Sequence, residues 1–473
     1  MIRLTAAELA GILGGVVRGD GDAVVTGGVQ TDSRLAGPGD LFFALPGEVT
    51  DGGRFAGPAV EAGAVAVVAQ RELELAAAPV VVVPDALTAL GALAREVVAR
   101  VRAGGRLRVA AVTGSNGKTT TKNMLGAILA TAGETVVPEG SFNNEVGAPM
   151  TMLRVTGETR HLVVEMGADA AGDIERLVGL AMPDVGIVLK VGTAHIGKFG
   201  SQAAIAAAKG ELVRDLPAGA VAVLNRDDPL VAAMPTAAAV RRFGLAEGPV
   251  DPAESGDWLA DEVSVSLEGT AFTLLHGGER RPVRLRILGE HHVMNALAAL
   301  AAADALGVGP EAAIPALEAM DRAERWRMEV LRAPDGVVVI NDAYNASPES
   351  TAAALRTLAD VTRGRSRAIA VLGEMAELGA HAAEAHDRIG RLAVRLNIDR
   401  LVVVGERARA MHLGAQHEGS WGSEAAFVET QEAAYDAVRA MLRPGDVVLV
   451  KSSNSAGLRH LGDRLARVEG ADA

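Results

Sequence analysis

Thr113-Gly-Ser-Asn-Gly-Lys-Thr-Thr120 is the stretch whose residue types and spacing carry the most chemistry. Gly114 and Gly117, with Ser115 and Asn116 between them, let backbone N–H groups curl around phosphate oxygens, and Lys118 neutralises phosphate charge. Thr119 offers a hydroxyl to Mg²⁺, and Thr120 enters a helix whose N-terminus adds positive potential. The common phosphate-loop pattern has its first glycine at position 112, where this chain has Val112, so the loop is a variant. ATP is favoured over GTP, because no Asn-Lys-x-Asp guanine-reading segment occurs. Glu165 lies in the apolar run His161-Leu-Val-Val-Glu-Met166, at a sheet edge where a carboxylate suits a hard cation such as Mg²⁺. The alternative is an acid that merely caps a strand. Thr193-Ala-His-Ile-Gly197 brings His195 to the same edge, as a metal ligand or as a structural histidine. Lys209, in Ala206-Ala-Ala-Lys-Gly-Glu211, reads from composition as an exposed helix lysine.

These residues need a strand, a turn and a helix in that order. Leu107–Val112 is β-rich, and Thr120–Ala132 places Met124, Leu125, Ile128 and Leu129 on one helical face. Further β-rich runs at His161–Met166, Val185–Val191 and Val221–Leu224 are spaced for crossover helices, the pattern of a mainly parallel sheet. A second series begins after Asp321, with runs at Val337–Ile340, Ala368–Leu372, Leu401–Val404 and Val447–Val450. The segment Arg102-Ala-Gly-Gly-Arg106 reads as a linker behind a smaller N-terminal unit. The expectation is an α/β protein of three domains. Residues 1–104 form a small α/β domain, 105–321 a central mainly parallel phosphate-loop domain, and 322–473 a C-terminal doubly wound, Rossmann-like domain.

Composition bounds the partners. The 473 residues carry 46 Lys and Arg against 59 Asp and Glu, a net charge of −13, which disfavours general binding to nucleic acid or anionic membranes and confines any phosphate binding to one local site. There is no cysteine, so disulfides, thiolate chemistry and Cys-ligated zinc are excluded. This fits a reducing, cytoplasmic setting. The first residues lack the layout of a signal peptide, and no apolar run is long enough for a membrane span.

Taken together, the chain resembles the Mur ligases, the family that adds amino acids to the peptidoglycan precursor using ATP, over nearly its whole length. The loop is similar to Thr-Gly-x-Asn-Gly-Lys-Thr, the strand-end acid matches Glu165, and the Ala-His segment matches His195. Lys209 matches the family lysine that CO₂ carbamylates, turning a cation into a carboxylate that helps hold a second Mg²⁺. Gly289-Glu-His-His-Val-Met-Asn-Ala-Leu-Ala298 resembles Gly-x-His-Asn-x-x-Asn-x-Leu-Ala, which implies an adenine contact for Asn295, with His292 in place of the first asparagine. Arg327-Met-Glu-Val330 resembles Gly-Arg-Met-Glu, with Arg327 facing the ATP phosphates and Trp326 where glycine is expected. Asp342 resembles the aspartate that reaches the ATP ribose.

Within the family the resemblance is to the members that add D-alanyl-D-alanine to UDP-N-acetylmuramoyl-tripeptide. Asp342-Ala-Tyr-Asn-Ala-Ser-Pro348 and Leu372-Gly-Glu-Met-Ala-Glu-Leu-Gly379 carry it, and the loop with Asn143 and Asn144 implies contact with the muramoyl peptide. No Asp-Asn-Pro-Arg motif of the preceding ligase occurs. Thr31-Asp-Ser-Arg34 implies uridine diphosphate contacts for Ser33 and Arg34, although Asp51-Gly-Gly53 stands where Asp-Gly-His is usual. Tyr344, Asn345, Lys451 and Ser453 are implied on the side of the dipeptide, with Ser452 and Asn454 departing from Lys-Gly-Ser-Arg. The implied chemistry is transfer of the γ-phosphoryl group to a carboxylate, then attack by the amine, with Lys118, Lys209, His195 and Arg327 as the catalytic set and a monomeric enzyme. The alternatives are a sister ligase, of the folylpolyglutamate type for instance, and a nucleotide-binding homologue without turnover.

Overall fold

The computed structural model describes residues 1–47, 50–75, 77–193, 196–248, 256–419 and 424–467. Among the described residues three large sheets carry the fold, beside a two-stranded pair of Leu4–Thr5 with Val24–Val25. The first has five strands in the spatial order Val16–Arg18, Val80–Val82, Ala66–Ala69, Leu41–Phe43 and Val29–Gln30, all parallel except the first. Its inner strands Leu41–Phe43 and Ala66–Ala69 are buried on both faces, as a parallel sheet between helices requires, while the antiparallel edge strand Val16–Arg18 is exposed. The helix Ala86–Ala103, capped by Asp85, packs Leu90, Leu93, Val97 and Val98 into a core shared with the next sheet.

The central sheet has nine strands. Arg108–Thr113 lies between His161–Glu165 and Val185–Val188, parallel to both. In this register Glu165 lies beside Val112 and Val188 beside Thr113, so the acid and the phosphate loop leave the sheet at the same edge. Beyond Val221–Asn225 and Ala239–Leu245 the sheet continues into strands Trp258–Ser266, Gly269–His276 and Glu279–Leu285, the last two antiparallel. Alternating polar and apolar residues there leave one face in water, unlike the buried parallel strands. The helix His291–Ala305, rich in buried alanine, crosses the helix Lys118–Ala130 closely.

The third sheet has six strands, with Val338–Asn341, Val447–Lys451, Ala368–Leu372, Arg400–Val404 and Ala425–Val428 parallel. Glu329–Arg332 is an antiparallel edge strand. The expected strands are all present within about three residues, whereas the antiparallel additions at 258–285 and 329–332 were not anticipated. Helices Ala382–Arg395 and Arg409–Glu418 cover one face and touch backbone to backbone at two glycines. A Cβ on Gly390 would lie 1.8 Å from the carbonyl oxygen of Met411. Gly390→Ala is therefore expected to destabilise this domain by about 3 kcal/mol, read as a lower melting transition in thermal denaturation.

Candidate functional site

The phosphate loop joins strand Arg108–Thr113 to helix Lys118–Ala130. Gly117, with φ of 89°, is in the left-handed region, and a Cβ there would stand 2.4 Å from Asn295 Oδ1. Only glycine satisfies both conditions. The same close approach lets Thr121 Oγ1 donate to Asn295 Oδ1 at 3.3 Å, while Asn295 Nδ2 lies 3.2 Å from His292 Nδ1. Asn295 is thereby fixed beside the loop by a partner 174 residues away in the chain, and His292 occupies the neighbouring position buried and polar.

Around this loop lies a cavity of about 790 Å³, lined by the central sheet's edge on one side and the C-terminal domain on the other. Ser115, Asn116, Gly117, Lys118, Thr119 and Thr120 line it from the loop, and Glu165, Lys209 and Asn295 from the rest of the central domain. Asn143 and Asn144 come from the loop before helix Gly147–Met152. Arg327, Asp342, Tyr344, Asn345, Lys451 and Ser453 complete the wall from the C-terminal side. Gly114 is not part of the lining, but its carbonyl accepts from Lys118 Nζ at 2.7 Å. Ser33 and Arg34 lie elsewhere, in a short turn of the N-terminal domain where the exposed Arg34 pairs with Asp32. His195 falls outside the described residues.

The electrostatics are those of a receptor for a polyanion. Lys209 is only 3% exposed, and burial, with repulsion from Lys118, pushes its ammonium down to about 7. The exposed helix lysine expected from composition is thus a buried one. Lys118 is also lowered by burial, with Glu165 opposing the shift and Arg327 adding to it. Arg327 stacks over Tyr344 at 4.3 Å and donates to Ser141 Oγ at 3.2 Å, leaving its Nε buried without a partner. Glu165, 1% exposed, accepts from Asn143 Nδ2 at 2.8 Å through Oε1, while Oε2 is buried and unpartnered. An orphaned carboxylate oxygen in a cavity that Thr119 and the phosphate loop also line is chemically fitted to a hard divalent cation. No three His, Asp or Glu side chains converge among the described residues, which leave out His195, so within them Glu165 and the Thr119 hydroxyl are the oxygen donors suited to such a cation.

Residues 112–303 match the Mur ligase middle domain, 326–454 the Mur ligase glutamate ligase domain, and 26–97 the Mur ligase family catalytic domain. The sequence is 46% identical to UDP-N-acetylmuramoyl-tripeptide--D-alanyl-D-alanine ligase of Mycobacterium bovis, over 98% of each chain. The chain belongs to the Mur ligase family. Its fold superposes on the crystal structure of MurF from Acinetobacter baumannii with a TM-score of 0.87, at 31% identity and covering 99% of both chains. The MurF ligase of Thermotoga maritima, solved in complex with ADP, matches with a TM-score of 0.79 at 27% identity, over 95% of this chain and 99% of that one.

Within this Mur ligase the departure from the family pattern at Trp326 has a local explanation. Trp326 stands at φ of 58°, a conformation that suits the glycine expected there and strains a bulky residue by about 1–2 kcal/mol. Its backbone N–H donates to Glu329 Oε2 at 3.0 Å and its indole Nε1 to Asp463 Oδ2 at 2.9 Å, which offsets the strain. Asp463 also accepts from Arg325 and Asn341, so one buried carboxylate ties three segments together just before Arg327. Lys451, 2% exposed, donates to Asp342 Oδ2 at 2.6 Å and to the Asn345 carbonyl at 3.0 Å. Ser453 Oγ accepts from the Ala376 N–H at 2.8 Å, which anchors the loop Met375–Leu378 to the end of the last strand. Nothing in the structure explains Ser452 or Asn454.

Sequence reasoning missed Ser141, His291 and Glu349, all of which line the cavity. Ser141 bears no motif of its own, and Glu349 has the look of any acid in the first turn of a helix.

Lys209 supplies a pH test. In the unfolded chain its ammonium titrates near 10.4, so between about 7 and 10.4 the unfolded state holds a proton that the folded state lacks. The stability cost of Lys209 is therefore full at and below pH 7 and vanishes by about pH 10.5. In CO₂-free buffer Lys209→Met should melt higher than its parent at pH 7, by up to about 4 kcal/mol, and the gap should close as pH rises in a series of thermal melts.

Proposed function

We propose that this chain is an ADP-forming carboxylate–amine ligase that joins D-alanyl-D-alanine to UDP-N-acetylmuramoyl-tripeptide at the expense of ATP. The observation that carries the reading is the cavity where Lys118, Lys209 and Arg327 face an orphaned oxygen of Glu165 across the junction of two domains. The names of the curated relatives and the ADP held by a structural neighbour support the substrates. The division into domains at residues 104 and 321 is part of this proposal, with Ser33 and Arg34 toward the uridine diphosphate end.

Carboxylate and amine do not condense in water, because hydroxide is a poor leaving group. In the proposed reaction the tripeptide's terminal carboxylate takes the γ-phosphoryl group, and the resulting acyl phosphate is attacked by the dipeptide's amine. Lys118 and Arg327 offset the charge that spreads over the transferring group. Asn295 holds the adenine, while Asp342, oriented by Lys451, holds the ribose. Asn143 and Asn144 face the muramoyl peptide, and Tyr344, Asn345 and Ser453 the dipeptide. Thr119, Glu165, His195 and a carbamylated Lys209 would hold Mg²⁺, two ions in all, which supply charge neutralisation and orientation of the phosphates when bound. Lys209 is suited to carbamylation, since an amine titrating near 7 is largely unprotonated, and so nucleophilic toward CO₂, in mildly alkaline solution.

The C-terminal domain already touches the loop. Ser347 Oγ donates to Asn116 Oδ1 at 3.3 Å, and Glu349 accepts from Thr193. Closure of this kind keeps water from the acyl phosphate. We place the reaction in the cytoplasm and the enzyme as a monomer; among the described residues no helix is long and apolar enough to cross a membrane.

Purified protein given Mg²⁺, ATP and UDP-N-acetylmuramoyl-tripeptide should release ADP with D-alanyl-D-alanine and not with single amino acids. Turnover with glutamate instead would assign it to a sister ligase. Lys118→Ala should lower kcat by about 10³-fold, measured in the same assay. With ¹³C-bicarbonate, a carbamate resonance should appear in the parent and be missing from Lys209→Arg.

A further inference from the structure

Glu349 lies in the first turn of the helix Pro348–Thr362, on the C-terminal side of the cavity. Its Oε1 accepts two hydrogen bonds from the central domain, from the Thr193 backbone N–H at 2.9 Å and from Thr193 Oγ1 at 2.6 Å. Its Oε2 is buried and receives no well-formed hydrogen bond. Of the other cavity acids that the reaction uses, Asp342 is paired with Lys451 and Glu165 accepts from Asn143. Glu349 is thus an anionic oxygen with no assigned task.

Its place is defined by Gly192. A Cβ on that glycine would lie 3.4 Å from the Glu349 carboxyl carbon and 3.3 Å from Ser115 Cβ, and the Gly192 N–H donates to Ser115 Oγ at 2.9 Å. The carboxylate and Ser115 of the phosphate loop therefore flank one residue, and both line the cavity in which the proposed reaction takes place. Burial on its own would raise the Glu349 carboxyl, but the Thr193 hydrogen bonds, with its own N–H and the nearby Ser347 hydroxyl, hold it below the usual carboxylate range. Such a group is a weak base and a durable negative charge. An unpaired buried anion is costly, and an ammonium group relieves that cost with a charge-assisted hydrogen bond.

We propose that Glu349 Oε2 binds the α-ammonium of the incoming dipeptide and holds that nitrogen against the acyl phosphate. This rests on the ligase reading above. Glu349 positions the amino group and takes no part in bond making: the ammonium loses one proton to solvent, the freed nitrogen attacks and the C–N bond forms, phosphate leaves with the electrons of the C–O bond, and the nitrogen's second surplus proton passes to the departing phosphate. The two domains meet through the same side chain, Oε1 clasping Thr193 and Oε2 facing the substrate. Correct closure and amine binding are thereby reported by one group.

The test is Glu349→Gln in the full-length protein, a substitution that preserves shape and the Oε1 acceptor. The KM for D-alanyl-D-alanine should rise by 30-fold or more, while the KM values for ATP and UDP-N-acetylmuramoyl-tripeptide stay within threefold. Hydroxylamine, uncharged at neutral pH, needs no counter-charge, so hydroxamate formation in place of ligation should stay within threefold of the parent. Glu349→Asp should fall between the two, and thermal melts of both variants should match the parent. A dipeptide KM within threefold of the parent in the Gln variant overturns the proposal. A parallel rise in the Mg²⁺ or ATP requirement, or loss of hydroxamate, overturns it in favour of a cation-binding or purely structural carboxylate. A parent enzyme that forms hydroxamate but prefers another amine refutes the D-alanyl-D-alanine reading alone, and the effect of Glu349→Gln is then read on the KM of that amine.

Discussion

A lysine buried with another lysine as its main charged neighbour is the constraint on which the rest of the site depends. Lys209 and Lys118 raise each other's free energy, Arg327 adds to the burden on Lys118, and Glu165 opposes it with one carboxylate. Desolvated cations of this density are destabilising until a polyanion or a change in protonation relieves them. Lys209 already takes the second route by titrating near neutrality, whereas Arg327 cannot and is held instead by Tyr344 and Ser141. The unfavourable charge is the stored capacity to bind a polyanion.

That arrangement requires backbone precision, and the sheet register provides it. Glu165 stands beside Val112 because strands His161–Glu165 and Arg108–Thr113 pair without offset, so a carboxylate and a glycine loop reach the same edge with no long side chain spanning a gap. The buried alanines of the helix His291–Ala305 let it pack closely on the helix Lys118–Ala130, and this brings the Asn295 side chain into the space that Gly117 leaves free. The high alanine content, uninformative as composition, is what allows that approach.

Much of this was legible in the sequence where the information is local. The order of strand, glycine loop and helix marks the phosphate site within a dozen residues, and the burial of strands such as Val447–Lys451 follows from their apolar runs. Lys209 shows the limit of that reading. Nothing in an Ala-Ala-Ala-Lys-Gly helix says which face packs inward, so its burial came from tertiary packing and was foreshadowed only by the family resemblance. Glu349 shows a second limit, since its partner Thr193 lies 156 residues away and in another domain. The antiparallel strands at 258–285 escaped notice because charged, alternating sequence such as Glu279–Leu285 resembles a solvated surface segment until a neighbouring strand pairs with it.

Trp326 connects stability with the site. A bulky residue at positive φ persists only where its surroundings determine it more strongly than its own torsional preference. Asp463 meets that condition by taking the indole N–H together with Arg325 and Asn341, from a helix at the far end of the domain. Glycine at this position would relieve the strain and also loosen the chain immediately before Arg327. The tryptophan instead exchanges local strain for a fixed entry to the arginine, which then needs only Tyr344 and Ser141 to hold its plane. A departure from the family pattern at 326 is therefore compatible with a well-placed Arg327, because the hydrogen bonds of the new side chain supply the rigidity that a bare turn would lack.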